Sequence, residues 1–120
     1  MQVYFDFERL SVYQKSLHFI DKIYQTIKKF PKEEVFNLGS QFRRAATSIC
    51  LNIAEGSAGT KSEFRQFLKV SLRSVRECVA VIEVASRQNY ITQEEKQALR
   101  EDCAEMAKML TGLIKSVRRQ

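Results

Sequence analysis

Hydrophobic residues recur every three or four positions along most of the chain, which is the spacing of one face of an α-helix. Four segments follow this pattern. The first is predicted to begin at Ser11, where Gln14 completes a capping-box pattern, and to end at Phe30-Pro31, because proline stops a helix. His18 falls on the polar, solvated side of this helix and is expected to be chemically idle. The predicted apolar stripe consists of Leu10, Tyr13, Leu17, Ile20, Tyr24 and Ile27.

Three longer helices are predicted after a connector over residues 32–39 that has room for one helical turn. The second helix covers about residues 40–57 and ends in the glycine-containing region 56–59. Capping boxes begin the other two: Thr60 with Glu63 precedes a helix that reaches about residue 88, and Thr92 with Glu95 precedes the last helix. The apolar stripe of the last helix consists of Leu99, Cys103, Met106, Leu110, Leu113 and Val117. Long helices with short loops pack antiparallel, so we predict one all-α domain over residues 1–120, an up-and-down antiparallel four-helix bundle.

The composition agrees with such a bundle. Of 120 residues, 44% are hydrophobic and 28% are charged, which suits one globular domain. The chain has 1 proline and 4 glycines, which leaves little turn chemistry for an all-β fold. A total of 20 Lys and Arg residues against 14 Asp and Glu gives a net charge of +6. This charge permits an anionic partner but does not require one.

The residues that usually carry chemistry are few and widely spaced. Cys50, Cys78 and Cys103 form no CxxC pair and lie far in sequence from His18, so we predict no metal site. The cysteines are expected to be small buried hydrophobic side chains. Since no nucleophile–base pair, phosphate loop or metal-ligand set is recognisable, the sequence predicts a protein that is not an enzyme and uses no cofactor.

The first residues mix charged side chains with aromatic ones, so no secretory segment is expected there. The longest apolar runs are only a few residues, too short to span a membrane. Reduced cysteines and a cytoplasmic location are therefore the expectation.

The second and third predicted helices carry apolar and polar stripes beyond the one core-facing stripe that a four-helix bundle requires. The second has a core stripe of Phe42, Ala46, Ile49 and Ile53, with Ala45 and Gly56 beside it. Another side of the same helix carries the polar stripe Gln41, Arg44, Ser48, Asn52 and Glu55. The third predicted helix has one apolar stripe of Phe64, Leu68, Val75 and Ile82, which is extended by Leu72, Cys78 and Ala85. A second apolar stripe on this helix consists of Val70, Val81 and Val84. Because a helix of a free-standing bundle needs one apolar stripe, the extra width predicts contact with another chain.

Polar residues beside this extra width are predicted to lie at a subunit interface or in a structural polar network: Arg43, Arg44, Asn52, Glu55 and Glu77. Arg44 and Glu55 are about 16 Å apart along one helix and cannot pair with each other. Glu55 and Glu77 are therefore expected to pair with Arg43 or Arg44 across or beneath the contact, the alternative being that all are simply solvated. Acid–base catalysis by Glu55 and Glu77 with Arg44 is a weaker alternative, since it requires these carboxylates in a cleft with perturbed pKa values.

A stripe of basic residues follows the third predicted helix within an arc of about 120°: Lys61, Arg65, Lys69, Arg73, Arg76 and Arg87. The last helix adds Lys108, Lys115, Arg118 and Arg119, where cations also offset the helix dipole. No zinc finger, RNP aromatic pattern or GXXG motif accompanies the stripe. We predict that Arg65, Lys69, Arg73 and Arg76, with Lys61 secondary, bind the phosphates of a nucleic acid. The alternative is a charged face that only keeps the bundle soluble.

Residues 41–56, QFRRAATSICLNIAEG, resemble the signature Q-x-R-R-A-x-x-S-I-x-x-N-I-A-E-G of a four-helix-bundle family, the 23S rRNA intervening-sequence proteins, formerly called ribosomal protein S23. The resemblance continues at residues 10–15 (with Tyr13 where a Trp is usual), at Phe30-Pro31, Glu34 and Leu38, and at residues 67–68, 74–77 and 109–114. The chain departs from the family at Arg73, where Gly is frequent, and at Val79, where an acidic residue is frequent. Any acidic feature that the family carries there is therefore not expected here.

The resemblance implies a homopentameric ring, like the accessory proteins of diversity-generating retroelements, which are basic relatives linked to nucleic acid and a reverse transcriptase. Many members are encoded inside insertions in 23S rRNA genes. The leading hypothesis is a non-enzymatic homo-oligomer that binds RNA or DNA through its backbone. The alternative is a ring that docks another polypeptide, such as a reverse transcriptase, without binding nucleic acid directly.

Overall fold

In the computed structural model, which describes residues 1–119 and the side chains of residues 1–118, regular structure is helical. A 3₁₀ turn over Asp6–Arg9 precedes five α-helices: α1 (Ser11–Ile27), α2 (Lys32–Val35), α3 (Leu38–Gly56), α4 (Lys61–Arg87) and α5 (Gln93–Arg119). The long helices pack side by side, α3 against α4, α4 against α5, and α1 against both α3 and α5. The predicted all-α four-helix bundle is confirmed. Within the described part of the chain, no helix is both long and apolar enough to cross a membrane.

Two of the three predicted capping boxes begin helices. At the start of α4, Glu63 N donates to Thr60 Oγ1 at 3.1 Å and Thr60 N donates to Glu63 Oε1 at 2.8 Å. The α5 box repeats this arrangement with Glu95 N donating to Thr92 Oγ1 at 3.1 Å and Thr92 N to Glu95 Oε1 at 2.9 Å. The third predicted capping box, formed by Ser11 and Gln14, is wrong, although α1 does begin at Ser11. The N-cap of α1 is the preceding leucine, which makes no side-chain cap hydrogen bond.

The turn from α4 to α5 depends on one residue with a left-handed backbone. Asn89 has a φ of 64°, a conformation that asparagine tolerates better than most residues. It lets Tyr90 N donate to Ala85 O at 2.9 Å and Asn89 N donate to Ser86 O at 3.0 Å. These two bonds form a Schellman motif, which satisfies the last carbonyls of α4 and reverses the chain direction within a few residues.

The core-facing side of α1 differs from the predicted stripe. Leu17 and Tyr24 are 37% and 45% exposed, so the assignment of both to the core was wrong. Ile27 of the predicted stripe is buried, and the other buried residues of α1 are Val12, Ser16, Phe19, Ile23 and Thr26. The hydroxyls among them bond to carbonyls of their own helix, Ser16 Oγ to Tyr13 O at 2.6 Å and Thr26 Oγ1 to Lys22 O at 2.8 Å. Satisfied in this way, a hydroxyl can lie in the core at little cost.

The predicted core stripes of α3 and α4 meet closely. Phe42, Ala46, Ile49 and Ile53 are fully buried. Gly56 is the contact point at the end of α3, because a Cβ there would lie 2.4 Å from Phe67 Cβ. Only glycine allows this approach of the two helices without displacing the aromatic side chain.

The three cysteines are free and buried. Burial raises the pKa of Cys103 to about 12 and also raises the pKa of Cys78, where the nearby Cys103 adds to the effect. The thiols are therefore protonated at neutral pH and act as small apolar side chains of the core.

Candidate functional site

The exposed side of α4 carries a row of cations that we call the basic ridge: Lys61, Arg65, Lys69, Arg73 and Arg76. At 100° per residue these positions share an arc of about 120°. From Arg65 to Arg76 the row extends for about 16 Å along the helix axis. Arg73 and Arg76 are exposed, and Arg65 and Lys69 are half-buried. The structure thus places the predicted nucleic-acid residues on one continuous surface.

The basic ridge lacks carboxylate partners over most of its length. Among the side chains of residues 1–118, Arg65, Lys69, Arg73 and Arg76 take part in none of the ion pairs. Lysines elsewhere are paired, such as Lys29 with Glu95. The positive charge of these four ridge residues is therefore not neutralised by an ion pair with a described side chain and is available to an anion in solution.

Hydrophobic side chains are also exposed on α3 and α4, and we call this set the α3–α4 face. Its exposed hydrophobic residues are Leu51, Val70 and Val84, which are 62%, 37% and 45% exposed. Val81, which was predicted to share the second apolar stripe with Val70 and Val84, is only 5% exposed because the bundle itself covers it. Part of the extra apolar surface of α4 is thus buried within one chain, and the rest is exposed to solvent.

The five residues predicted at a subunit interface or in a polar network separate into two groups. Arg43 Nη2 donates to Val35 O at 3.2 Å and to Ser40 Oγ at 3.0 Å, which fastens α2 to α3. Asn52 Nδ2 donates to Ser48 Oγ at 2.9 Å, and Ser74 Oγ of α4 donates to the same Ser48 Oγ at 2.8 Å. Arg43 and Asn52 therefore belong to networks inside the chain.

The other three, Arg44, Glu55 and Glu77, are exposed. None of them forms an ion pair with another described side chain. Their pairing across a subunit boundary stays a prediction. Within one chain, the structure brings neither glutamate into an ion pair with Arg43 or Arg44.

A groove between α4 and α5, which was not expected from the sequence, adjoins the basic ridge. It has a volume of about 550 Å³. Arg76 lines it from α4 and Arg100 from α5. The acidic residue of the groove, Glu83, pairs with Lys96 of α5 at 3.2 Å. The remainder of the lining is apolar: Val75, Val79, Ala80, Cys103, Ala104 and Ala107.

Asp102 is the main buried charge of the bundle and fastens α1 to α5. It is 8% exposed, and its two carboxylate oxygens accept from Lys15 Nζ at 3.0 Å and Lys22 Nζ at 2.9 Å. Burial alone would raise the pKa of Asp102, but the hydrogen bonds from Lys22 and Lys15 outweigh it and hold the pKa below its usual value. The pKa of Lys15 is raised, chiefly by the hydrogen bond to Asp102. This cluster is structural, and it lies on the α1–α5 side of the bundle.

Few side chains with catalytic or metal-binding chemistry converge in the described chain. Across residues 1–118, no group of three or more His, Cys, Asp or Glu side chains is placed to hold a metal ion. Cations without an ion pair to a described side chain and exposed hydrophobic side chains, which are features of a binding surface, occur elsewhere, on the basic ridge from Arg65 to Arg76, in the groove next to it and on the α3–α4 face.

Comparison with known proteins identifies the family. The model of the family described as 23S rRNA-intervening sequence protein matches residues 8–112. The chain belongs to this family. The matched region includes the whole basic ridge, the groove and the α3–α4 face, so these surfaces lie within the part shared with other intervening-sequence proteins.

A solved structure supports both the fold and the family. The chain is similar to a protein of unknown function from the S23 ribosomal protein family of Bacteroides thetaiotaomicron VPI-5482, with 31% sequence identity and a TM-score of 0.80. The similarity covers 87% of this chain and 95% of that one. None of the curated proteins matches the chain significantly. A relation of this intervening-sequence protein to retroelement accessory proteins stays a prediction.

Proposed function

We propose that this intervening-sequence protein is a non-enzymatic homo-oligomer that binds RNA or DNA through the phosphate backbone, with the basic ridge as the contact surface. One observation carries the proposal: Arg65, Lys69, Arg73 and Arg76 form one row and have no carboxylate partner among the described side chains. Cations that a protein leaves unpaired on one surface attract a polyanion, because each contacted phosphate releases condensed counterions.

The shape of the ridge supports contact with a backbone rather than with one small anion. Its four unpaired cations extend along about 16 Å of helix, so they can meet several successive phosphates. No base-reading motif accompanies them, and phosphate contacts position a protein without specifying sequence. The proposed binding is therefore strong at low salt and tolerant of sequence.

Self-association is the second part of the proposal. Leu51, Val70 and Val84 are exposed beside Arg44 and Glu77, which carry opposite charges and lack partners in the described chain. A second protomer could cover the apolar residues and pair these charges. An assembled ring repeats the basic ridge in every protomer, which raises the local positive potential. The number of five protomers comes from the family resemblance alone.

The test compares two variants that each lose four positive charges. The ridge variant carries Arg65→Gln, Lys69→Gln, Arg73→Gln and Arg76→Gln, and the control carries Lys28→Gln, Lys32→Gln, Lys108→Gln and Lys115→Gln. Binding of a labelled mixed-sequence RNA is measured by fluorescence anisotropy at low salt. We expect the ridge variant to lose at least about 100-fold in affinity, since four charge-assisted contacts are removed, and the control to lose much less. Equal losses would show that only net charge matters, and absence of wild-type binding in the micromolar range would refute the proposal.

A protein-docking ring is the second candidate, and the exposed apolar residues of the α3–α4 face favour it. In this case the occupant is another polypeptide, such as a reverse transcriptase, and nucleic acid binds only through that partner. Reversing the charges of the ridge would then abolish capture of the protein partner, while direct RNA binding would already be at background in the wild type.

A further inference from the structure

The groove between α4 and α5 has cationic walls and an apolar floor. Arg76 and Arg100 line it from the two helices, and neither forms an ion pair with a described side chain. Among the described side chains that line the groove, the one carboxylate is that of Glu83, which pairs with Lys96. The groove therefore carries net positive charge and suits an anionic occupant.

The apolar floor of the groove restricts the chemistry of an occupant further than positive charge alone does. The small side chains of Ala80, Ala104 and Ala107 line it together with Val75 and Val79. Such a floor leaves space between the helices and offers no hydrogen-bonding side chain, so it fits a flat apolar face better than a phosphate. Arginine side chains at the rim can both pair with phosphate and stack on a planar ring.

Arg76 belongs both to the basic ridge and to the groove lining. A polyanion that follows the ridge from Arg65 therefore reaches the mouth of the groove without leaving positive surface. This continuity favours a polyanion over a small anion, which would use the groove alone, and the apolar floor favours the planar bases of a nucleic-acid strand.

We infer that the protein prefers single-stranded nucleic acid to duplex, because an unpaired base enters the groove between α4 and α5 while the adjoining phosphates lie on the basic ridge. The inference rests on the proposed function and deepens it. A duplex presents its phosphates on the outside and keeps its bases stacked, so it contacts the ridge but cannot fill the groove. A single strand gains the additional contact with the floor and with Arg100, as other non-specific single-strand sites combine stacking surfaces with cations.

The experiment measures binding of a labelled single-stranded RNA and of its matched duplex to four variants. Arg100→Gln removes the cation of the α5 wall, and Ala104→Leu narrows the groove without changing charge or adding an aromatic ring. Each has a control on the same helix: Lys108→Gln for charge, and Ala98→Leu, which lies on the α1 side of α5. Both alanines are exposed, so the substitutions leave the core intact, and thermal unfolding verifies this.

We expect Arg100→Gln to weaken single-strand binding by about tenfold and Ala104→Leu by about fivefold or more, because the base can no longer enter the groove. Duplex binding changes by less than about twofold in either variant, and both control variants behave like wild type. Equal losses for single strand and duplex would overturn the inference, as would single-strand affinities of the groove variants that match those of their controls.

Two further outcomes separate this inference from the proposed function. If the wild-type protein binds neither RNA, the proposed function fails and the groove inference fails with it. If the ridge variant loses binding but the groove variants bind single strands normally, the proposed function stands and the inference alone is refuted. An acidic amphipathic peptide whose binding requires Arg100, with no competition from single-stranded RNA, would assign the groove to a polypeptide and also refute the inference.

Discussion

Replacing Asp102 by Asn tests whether the buried carboxylate holds α1 and α5 together. The substitution keeps the shape of the side chain but removes the charge that Lys15 Nζ and Lys22 Nζ contact at 3.0 Å and 2.9 Å. An exposed ion pair contributes little, and Lys22 is about half exposed, so most of the effect comes from Lys15, whose side chain is 24% exposed. We expect a loss of about 2 kcal/mol in the free energy of unfolding, the value of one good hydrogen bond to a charged group.

The same variant changes the pH dependence of stability. Because folding lowers the pKa of Asp102, the carboxylate stabilises the folded protein above its unfolded pKa of about 4. This contribution to the free energy of unfolding is lost as the pH falls through the folded pKa. Because folding raises the pKa of Lys15, its contribution is present below the unfolded pKa and is lost as the pH rises through the folded pKa. Asp102→Asn should therefore flatten the stability profile at both ends of the pH range.

Urea unfolding at neutral pH and at pH values near 3 and 11 measures both effects. Glu101→Gln is the matched control, since Glu101 is exposed and accepts only from Gln97 of its own helix, at 3.1 Å. Equal small effects of Asp102→Asn and Glu101→Gln at neutral pH would contradict a stabilising role of Asp102, as would a wild-type advantage over Asp102→Asn that does not shrink in acid.

The remaining predictions concern three local features of the fold. Gly56→Ala should lower the free energy of unfolding in urea by about 1–3 kcal/mol, because the new Cβ would overlap Phe67. This loss should exceed the gain from the better helix propensity of alanine. A neutral effect would contradict the close approach of α3 and α4. Asn89→Ala should cost about 1 kcal/mol in the same assay while Asn89→Gly is neutral, given the φ of 64°, and equal effects would argue against the left-handed turn. Cys78 and Cys103 should react with a thiol reagent only after unfolding, since burial raises the pKa of both; labelling of the folded protein would show that the core opens.

Local sequence chemistry was sufficient to predict most of the fold. The capping boxes at Thr60 and Thr92 depend on residues only three positions apart, so their signals do not require knowledge of the tertiary structure. The core stripe of α3 was also readable, because its buried positions are uninterrupted hydrophobic residues. In α1 the buried stripe includes Ser16 and Thr26, which a search for apolar residues passes over, and the stripe through Leu17 was chosen instead.

The parts of the site that the sequence did not reveal depend on contacts between helices. Arg100 and Arg76 are 24 positions apart and share a groove only because of the register between α4 and α5. Asp102 likewise meets Lys15 across 87 positions. The basic ridge was predictable because all of its members lie on one helix, where 100° per residue fixes their relative directions.

The salt dependence of RNA binding tests the central claim most directly. Four phosphate contacts from Arg65, Lys69, Arg73 and Arg76 predict a slope of about −3 in a plot of log affinity against log salt for single-stranded RNA, so a fourfold rise in salt weakens binding about 50-fold. The ridge variant should retain a much flatter slope, and the charge-matched control variant should keep the wild-type slope. A flat response of the wild-type protein, or the same slope for wild type and ridge variant, would contradict the assignment of the basic ridge to nucleic acid.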